Sequence, residues 1–372
     1  MRDKYIVKYN KKQEFKMKRI IKSLPKWALA IGIVSSFATP SYAGEFDGVT
    51  LKVATWGGSW KANMEKIIVP KFEALGGKIE FVTGSPAASF AKLVAGRGRA
   101  PFDVMEVLDA QVGDFAQVDY LQPINLDLIP NKKNIQSFQY NNTYVGSWFT
   151  QEVICYDTEK FSELGIPAPK TYADLAHPAL QDKVSLPDIN SGAGLANFGG
   201  VVFAAGGDEE NIQPGLDLMA KINATKFWKR GGETKTQFET GDIYAAVVHV
   251  GWCARAARAG SPVMSVHPEI KPGVKGLAKE GWLGIMKSSD NVAAAHWFIN
   301  EYLTTDFQYE YAINSGVFPL NQEAIDKMKT DEINVRLMEM DSGNISKMLR
   351  IDYNKVDKTA WINGWNKTLT TN

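Results

Sequence analysis

The chain has 372 residues, with 42 Lys and Arg against 41 Asp and Glu, and 45% of it is apolar. Residues 1–43 hold 10 of the basic and 2 of the acidic side chains, which leaves 32 against 39 and a net charge of −7 on the rest. That balance argues against nucleic acid or an anionic membrane surface as the partner.

The first segment reads as an export signal. Lys18, Arg19, Lys22 and Lys26 form a charged start, WALAIGIVSSFA (27–38) is the apolar run, and Ser41-Tyr42-Ala43 supplies small residues for cleavage. The run falls short of the roughly 20 residues that span a bilayer. Initiation at Met17 would give a more typical signal length. No cysteine follows the cleavage position, so a periplasmic chain without a lipid anchor is expected. The 329 residues after Ala43 are more than one core usually serves, and two domains are expected. Cys155 and Cys253 remain after export; an oxidising compartment permits a disulfide, and two separate buried thiols are the plainer reading. Neither lies in a C-x-x-C, no histidine has zinc-ligand spacing, and neither a metal nor a cofactor is expected.

From Leu51 onward strand and helix alternate. LKVAT is a strand that runs into Trp56-Gly57-Gly58-Ser59, with Ser59 as the N-cap of helix 60–75, Pro70 as its break and Gly76-Gly77 as its stop. KIEFVTG (78–84), SFAKLVAGRG (89–98) and FDVMEVL (102–108) continue as strand, helix and strand. This β-α-β-α-β run implies a parallel sheet with crossover helices. Ligands collect beyond the carboxyl ends of such strands, where Trp56, Gly58, Ser59 and Asp109 stand. A second α/β unit follows. GSWFTQEVICYD (146–157) is a strand leaving the first domain, and Glu152 on it is a partly buried carboxylate that needs a cation. KVSLPDI (183–189) ends at Asp188, and Ser191-Gly192-Ala193-Gly194 opens a helix whose free N–H groups suit an anion or a carbonyl. Then come a turn at Gly241-Asp242, the strand AAVVHV, a loop with Gly251-Trp252, and the strand WLGIM (282–286). His249 reads as a satisfied core histidine, and Arg255 as half of a surface salt bridge.

Five pieces in order resemble a known family. They are Val53-Ala54-Thr55-Trp56, Pro101-Phe102-Asp103-Val104, the strand ending Val153-Ile154-Cys155-Tyr156-Asp157, the turn Gly241-Asp242 before Gly251-Trp252, and the helix–turn 298–321 with Gly316, Pro319 and Asn321. Together they resemble the periplasmic solute-binding proteins of ABC importers, in the spermidine/putrescine-binding branch. The resemblance implies a type II-like α/β fold of two lobes, each a mixed or mostly parallel sheet flanked by helices, joined by two crossing hinge strands. Carried over, lobe one is 44–149 with 283–320, and lobe two is 150–282 with 321–372. A monomer would deliver a small solute to a membrane ABC permease complex by hinge closure. Polyamine binders place aromatic walls along the methylene chain and carboxylates at its ends. An ammonium over an aromatic face gains about 0.5–2 kcal/mol. On this basis Trp56 and Trp252 match binding aromatics and Trp282 is a further candidate; Ser59 and Asp109 would offer polar contacts, and Asp188 or Glu152 would meet positive charge. Two departures widen the ligand set to opines, amino-acid-like compounds, quaternary amines and aminophosphonates. Gly281 stands where an acidic residue is usual, and the late aromatic is displaced to Phe318. An enzyme is not expected: there is no G-x-S-x-G or H-E-x-x-H, although a secreted α/β enzyme remains the alternative class.

Overall fold

The computed structural model describes residues 44–370, so the signal peptide expected over 1–43 lies outside the described residues. β1 (Thr50–Thr55) alternates Leu51 and Val53 inward with Lys52 outward, and then buries Ala54 and Thr55 as well. The chain turns through Gly58, at φ 63°, into α1 (Ser59–Ile67). Gly58 therefore occupies the N-cap position expected of Ser59, whose side chain makes no capping bond because it already lies in the first helical turn. The helix breaks at Ile68 ahead of Pro70, as expected, and α2 (Val69–Glu73) begins with that proline in its first turn. β2 (Lys78–Thr83) lies parallel to β1. α3 (Pro86–Ala95), capped by Ser85, leads to β3 (Val104–Leu108), which lies parallel on the other side of β1. α4 (Asp109–Val118) leaves from the end of β3.

β4 (Val145–Asp157) is 13 residues long and nearly all buried. After α5 (Thr158–Glu163) come β5 (Val184–Pro187), α6 (Gly194–Ala204), α7 (Gln213–Ile222), β6 (Lys226–Trp228), α8 (Gly232–Glu239) and β7 (Ala245–His249). α9 (Val250–Arg258) follows β7 directly. Trp252 thus lies in the first turn of a helix and not in the expected loop; the run GWCARAAR carries an apolar face that docks on β4 and β8. β8 (Val263–Val266), the hairpin of β9 (Glu269–Lys271) and β10 (Val274–Lys275), and β11 (Leu277–Ile285) complete the strands. β11 starts five residues before the expected Trp282. Lys279 and Glu280 disguise its first half as a polar loop, yet both are buried in the sheet.

The strand order is β2-β1-β3-β11-β4-β7-β5-β6, with β8 added to β4. Two parallel sets, one around β1 and one around β5, are joined through the antiparallel pair β11 and β4. β11 pairs with β3 over Gly281–Ile285 and with β4 over Leu277–Leu283, while β4 pairs with β7 from Glu152 onward. Gly281 is required at the seam, because a β-carbon there would lie 2.4 Å from the Trp148 ring. Six helices follow: α10 (Val292–Tyr302), α11 (Thr305–Ser315), α12 (Gln322–Met328), α13 (Glu332–Leu337), α14 (Ser342–Ser346) and α15 (Lys358–Thr370). α10 and α11 bury Phe298, Tyr302, Phe307 and Tyr311 against the β1 set; Trp361 and Trp365 of α15 pack with α6 and α7. No described helix is long and apolar enough to cross a membrane.

Cys155 on β4 and Cys253 on α9 form a disulfide, 98 residues apart in sequence, where two separate thiols were the plainer expectation. The register of β4 with β7 and the immediate turn into α9 bring them together, which neither local pattern reveals. Closing a loop of that size removes much of the unfolded chain's freedom. Replacing both cysteines by serine is expected to lower stability by about 3–5 kcal/mol, read from urea unfolding of the two proteins side by side.

Candidate functional site

The site is built at the seam where the ends of β1 and β3 meet the two long strands. Three tryptophans make one wall. The Trp56 ring centroid stands 5.5 Å from that of Trp60 and 5.8 Å from that of Trp148, and Trp60 meets Tyr311 edge-on. Trp56 is half-buried, with exposed Gly57 and Gly58 beside it and half-buried Ser59 next in chain.

Glu106 holds this wall from behind. It is buried on β3 and accepts hydrogen bonds from Thr55 Oγ1 at 2.5 Å, Trp148 Nε1 and Tyr302 Oη at 2.8 Å, and Tyr311 Oη at 3.3 Å. Burial raises its pKa and the donors oppose that rise. The four bonds fix Thr55, the residue before Trp56, and the indole that Trp56 leans on.

Asp109 is the first residue of α4. Its Oδ2 accepts from the Glu280 N–H at 3.0 Å and its Oδ1 from the Ala110 N–H at 2.7 Å. Burial pushes its carboxyl up to about 7 despite these bonds and the nearby Lys279 charge. Lys279 Nζ lies 5.4 Å from the Trp148 ring centroid and donates to the Gly192 carbonyl at 3.2 Å. Burial lowers its pKa, and Glu152 and Asp109 work against that.

Glu152 is fully buried. It accepts from Thr150 Oγ1 at 2.6 Å, Asn197 Nδ2 at 2.8 Å and His249 Nδ1 at 2.5 Å. Burial alone would raise its pKa, but His249, Lys279 and Thr150 together hold it at about 2. Burial lowers the pKa of His249 and Glu152 opposes that, while its Nδ1 donates to the carboxylate. Lys279 also acts on Glu152 through space, and His249 is a partner of the carboxylate as well as a core residue. Arg350 closes the far side. Its Nε donates to Glu280 at 2.8 Å and its guanidinium lies 5.3 Å from the Phe138 ring.

Among the expected contacts, Trp56, Asp109, Glu152 and Gly192 are linked through Trp148, Lys279 and Glu280, while Gly58 and Ser59 only follow Trp56 in the chain. Ser191 accepts from the Ala193 N–H, and Asp188 from the Asn190 N–H, so Asp188 shapes a turn and does not cap α6. Trp252 lies against Gly231 with the Arg255 guanidinium 4.3 Å from its centroid. Arg255 donates to the Asn314 carbonyl and makes no salt bridge among the described residues, because Trp252 and that carbonyl occupy it. Trp282 packs with Met105, Val107, Leu121 and Tyr144 and has no ring contact with the tryptophan wall. Phe318 is 1% exposed and stacked on Phe149, which closes it off from any open surface. Sequence reasoning passed over Glu106, Trp148, Lys279 and Arg350. The signal for Lys279 was there: a charged pair set between the apolar Leu277-Ala278 and Trp282-Leu283. Among the described residues no group of three or more His, Cys, Asp or Glu is placed to hold a metal ion.

The comparisons with known proteins agree with this architecture. No curated protein sequence matches the chain significantly. An ABC transporter structure from Clostridium perfringens is 21% identical, over 86% of this chain and 99% of that one, with a TM-score of 0.69. A GABA receptor structure is 17% identical, over 86% and 97%, at 0.71. A putative spermidine/putrescine ABC transporter from Listeria monocytogenes is 19% identical, over 87% and 98%, at 0.67. At such identity the likeness carries the fold, which is the α/β fold of periplasmic binding proteins. The profile for bacterial extracellular solute-binding proteins matches residues 57–309, and the chain belongs to that family.

Proposed function

We propose that the protein is the solute-capturing component of an ABC importer, and that its solute carries one primary or substituted ammonium together with an anionic group. It would work as an exported, periplasmic monomer. Residues 44–149 with 283–320 and residues 150–282 with 321–372 would close on the solute by bending at β4 and β11. The observation that carries the ligand class is Asp109. Glu152 accepts from three side chains, whereas Asp109 is hydrogen-bonded only to backbone N–H groups, and Lys279 acts on both carboxylates. Asp109 is thus the one of the two without a side-chain donor, and it is left for one ammonium. A second ammonium would have to sit near buried Lys279, where repulsion in a low dielectric is severe. A carboxylate there would instead meet Lys279 and the start of α6. Amino-acid-like compounds and opines fit that description, and the GABA receptor of similar fold is named for such a compound.

A diamine is the second reading. Asp188 favours it, being half-buried with only a backbone N–H as partner. An enzyme is disfavoured, because His249 has no serine, threonine or cysteine hydrogen-bonded to it among the described residues.

The test is a thermal-shift panel on the refolded, ligand-stripped protein at pH 8, spanning γ-aminobutyrate, other amino acids, an opine, betaines, putrescine and spermidine. At 100 times its dissociation constant a ligand stabilises by about 2.7 kcal/mol, a shift of roughly 2–4 °C. Amino-acid-like compounds or the opine should shift the midpoint, and Trp56→Ala and Asp109→Asn should abolish the effect. A shift with diamines alone would overturn the single-ammonium reading, and no shift at all would overturn the amine reading altogether.

Asp109 also sets a pH dependence. An ammonium binds the ionised carboxylate, and the free protein protonates Asp109 below about 7. Affinity should therefore be level above pH 7 and fall about tenfold per unit below it, with one proton released on binding near pH 6. Calorimetric titration in two buffers of different ionisation enthalpy reads both; a flat profile from pH 5 to 8 would remove Asp109 from the site.

A further inference from the structure

Residues 349–358 join α14 to α15, and their course is fixed at both ends. At one end Leu349 bridges Leu277, whose register partner on β4 is Glu152. The Ala278 N–H donates to the Leu349 carbonyl at 2.9 Å and the Leu349 N–H to the Gly276 carbonyl at 3.0 Å. At the other end Lys358 Nζ reaches both oxygens of Asp114, at 2.8 and 2.7 Å. Asn354 sits so close to Gly113 that a β-carbon on that glycine would lie 2.6 Å from its Oδ1. Gly113 and Asp114 belong to α4, the helix that opens with Asp109. The segment therefore runs from beside Glu152 to the helix that carries Asp109.

Tyr353 lies between these ends. It is buried in one apolar cluster with Ala110, Ala196 and Leu277. Ala110 is the neighbour of Asp109 and Leu277 the register partner of Glu152, so Tyr353 packs between the two carboxylate-bearing elements, and no hydrogen bond to its phenol is found among the described residues. Its oxygen is therefore available to a group that enters there.

We propose that residues 349–358 are a strap forming one wall of the solute site, and that Tyr353 on it is a specificity residue whose hydroxyl oxygen accepts a hydrogen bond from the solute's ammonium beside Asp109. This rests on the single-ammonium reading above. A primary ammonium has N–H donors for both Asp109 and Tyr353; a quaternary one has none and gains only the aromatic and charge contacts. The hydroxyl therefore selects for primary amines. The Lys358–Asp114 pair fastens the strap to α4 and so holds Tyr353 toward the helix that opens with Asp109.

Two measurements test it. In the first, γ-aminobutyrate and its trimethylated analogue are titrated into wild type and Tyr353→Phe, with urea midpoints as the control for folding. Tyr353→Phe should weaken γ-aminobutyrate about tenfold, the value of one hydrogen bond to a charged group, and leave the analogue unchanged. Equal loss for both, or no loss for a primary amine that wild type binds, overturns the role of Tyr353 while the single-ammonium reading stands. In the second, which needs no solute, Tyr353 is acetylated with N-acetylimidazole in wild type and Lys358→Met and followed by mass spectrometry. Freeing the strap should speed the reaction at least tenfold at Tyr353 and leave the other tyrosines unchanged; equal rates overturn the strap. If no compound of the panel binds wild type, the single-ammonium reading and with it the role of Tyr353 fail, and the acetylation rates alone decide the strap.

Discussion

Charge buried on the two central strands is the constraint on which the site depends. Glu152 on β4 and Lys279 on β11 both lie where water does not reach them freely, and each ion so placed costs several kcal/mol of lost hydration. The fold offsets that cost with specific partners: Thr150, Asn197 and His249 on the carboxylate, the Gly192 carbonyl and the Trp148 face on the ammonium. Those partners come from β4, α6, β7 and the α6 approach. Satisfying one pair of ions therefore fixes how the two parallel sets of strands meet.

The tryptophan wall has a comparable anchor. A half-buried indole can rotate unless something holds its neighbours, and Glu106 does so with four donors from β1, β4, α10 and α11. Its carboxyl accepts from the Trp148 N–H, while Lys279 lies over the same ring. The wall is thus held in position by contacts within the protein.

Much of the fold was legible because local pattern and global arrangement agree in it. LKVAT, KIEFVT and VMEVL show apolar alternation or continuous apolar runs, and Gly58, Pro70 and Gly76 act where their backbone chemistry requires. Trp56 and Asp109 were legible as residues at strand ends, which in this topology is where ligands collect. Legibility failed wherever a residue's role depends on register. Lys279 and Glu280 look solvated until β11 is paired on both sides. Cys155 and Cys253 look independent until β7 aligns with β4. Phe318 looks like a binding aromatic, yet the bridge to Phe149 sends it into the core, while Trp282 stays half-buried against Met105 and its neighbours. Tyr353 had no signal at all, since nothing in RIDYNKVDK says where a strap will lie.

Asp109 links this architecture to closure. As the first residue of α4 it gains from the helix dipole and two N–H donors, and burial still outweighs both. A carboxyl raised from 3.8 to about 7 holds a charge at pH 8 against a penalty on the order of 4 kcal/mol. Contacts across the seam create that burial, for Glu280 comes from β11 and the strap lies beyond it. Under the proposed function, an ammonium placed against Asp109 would remove that penalty, and the solute would favour the closed form only through its differential affinity for the two states.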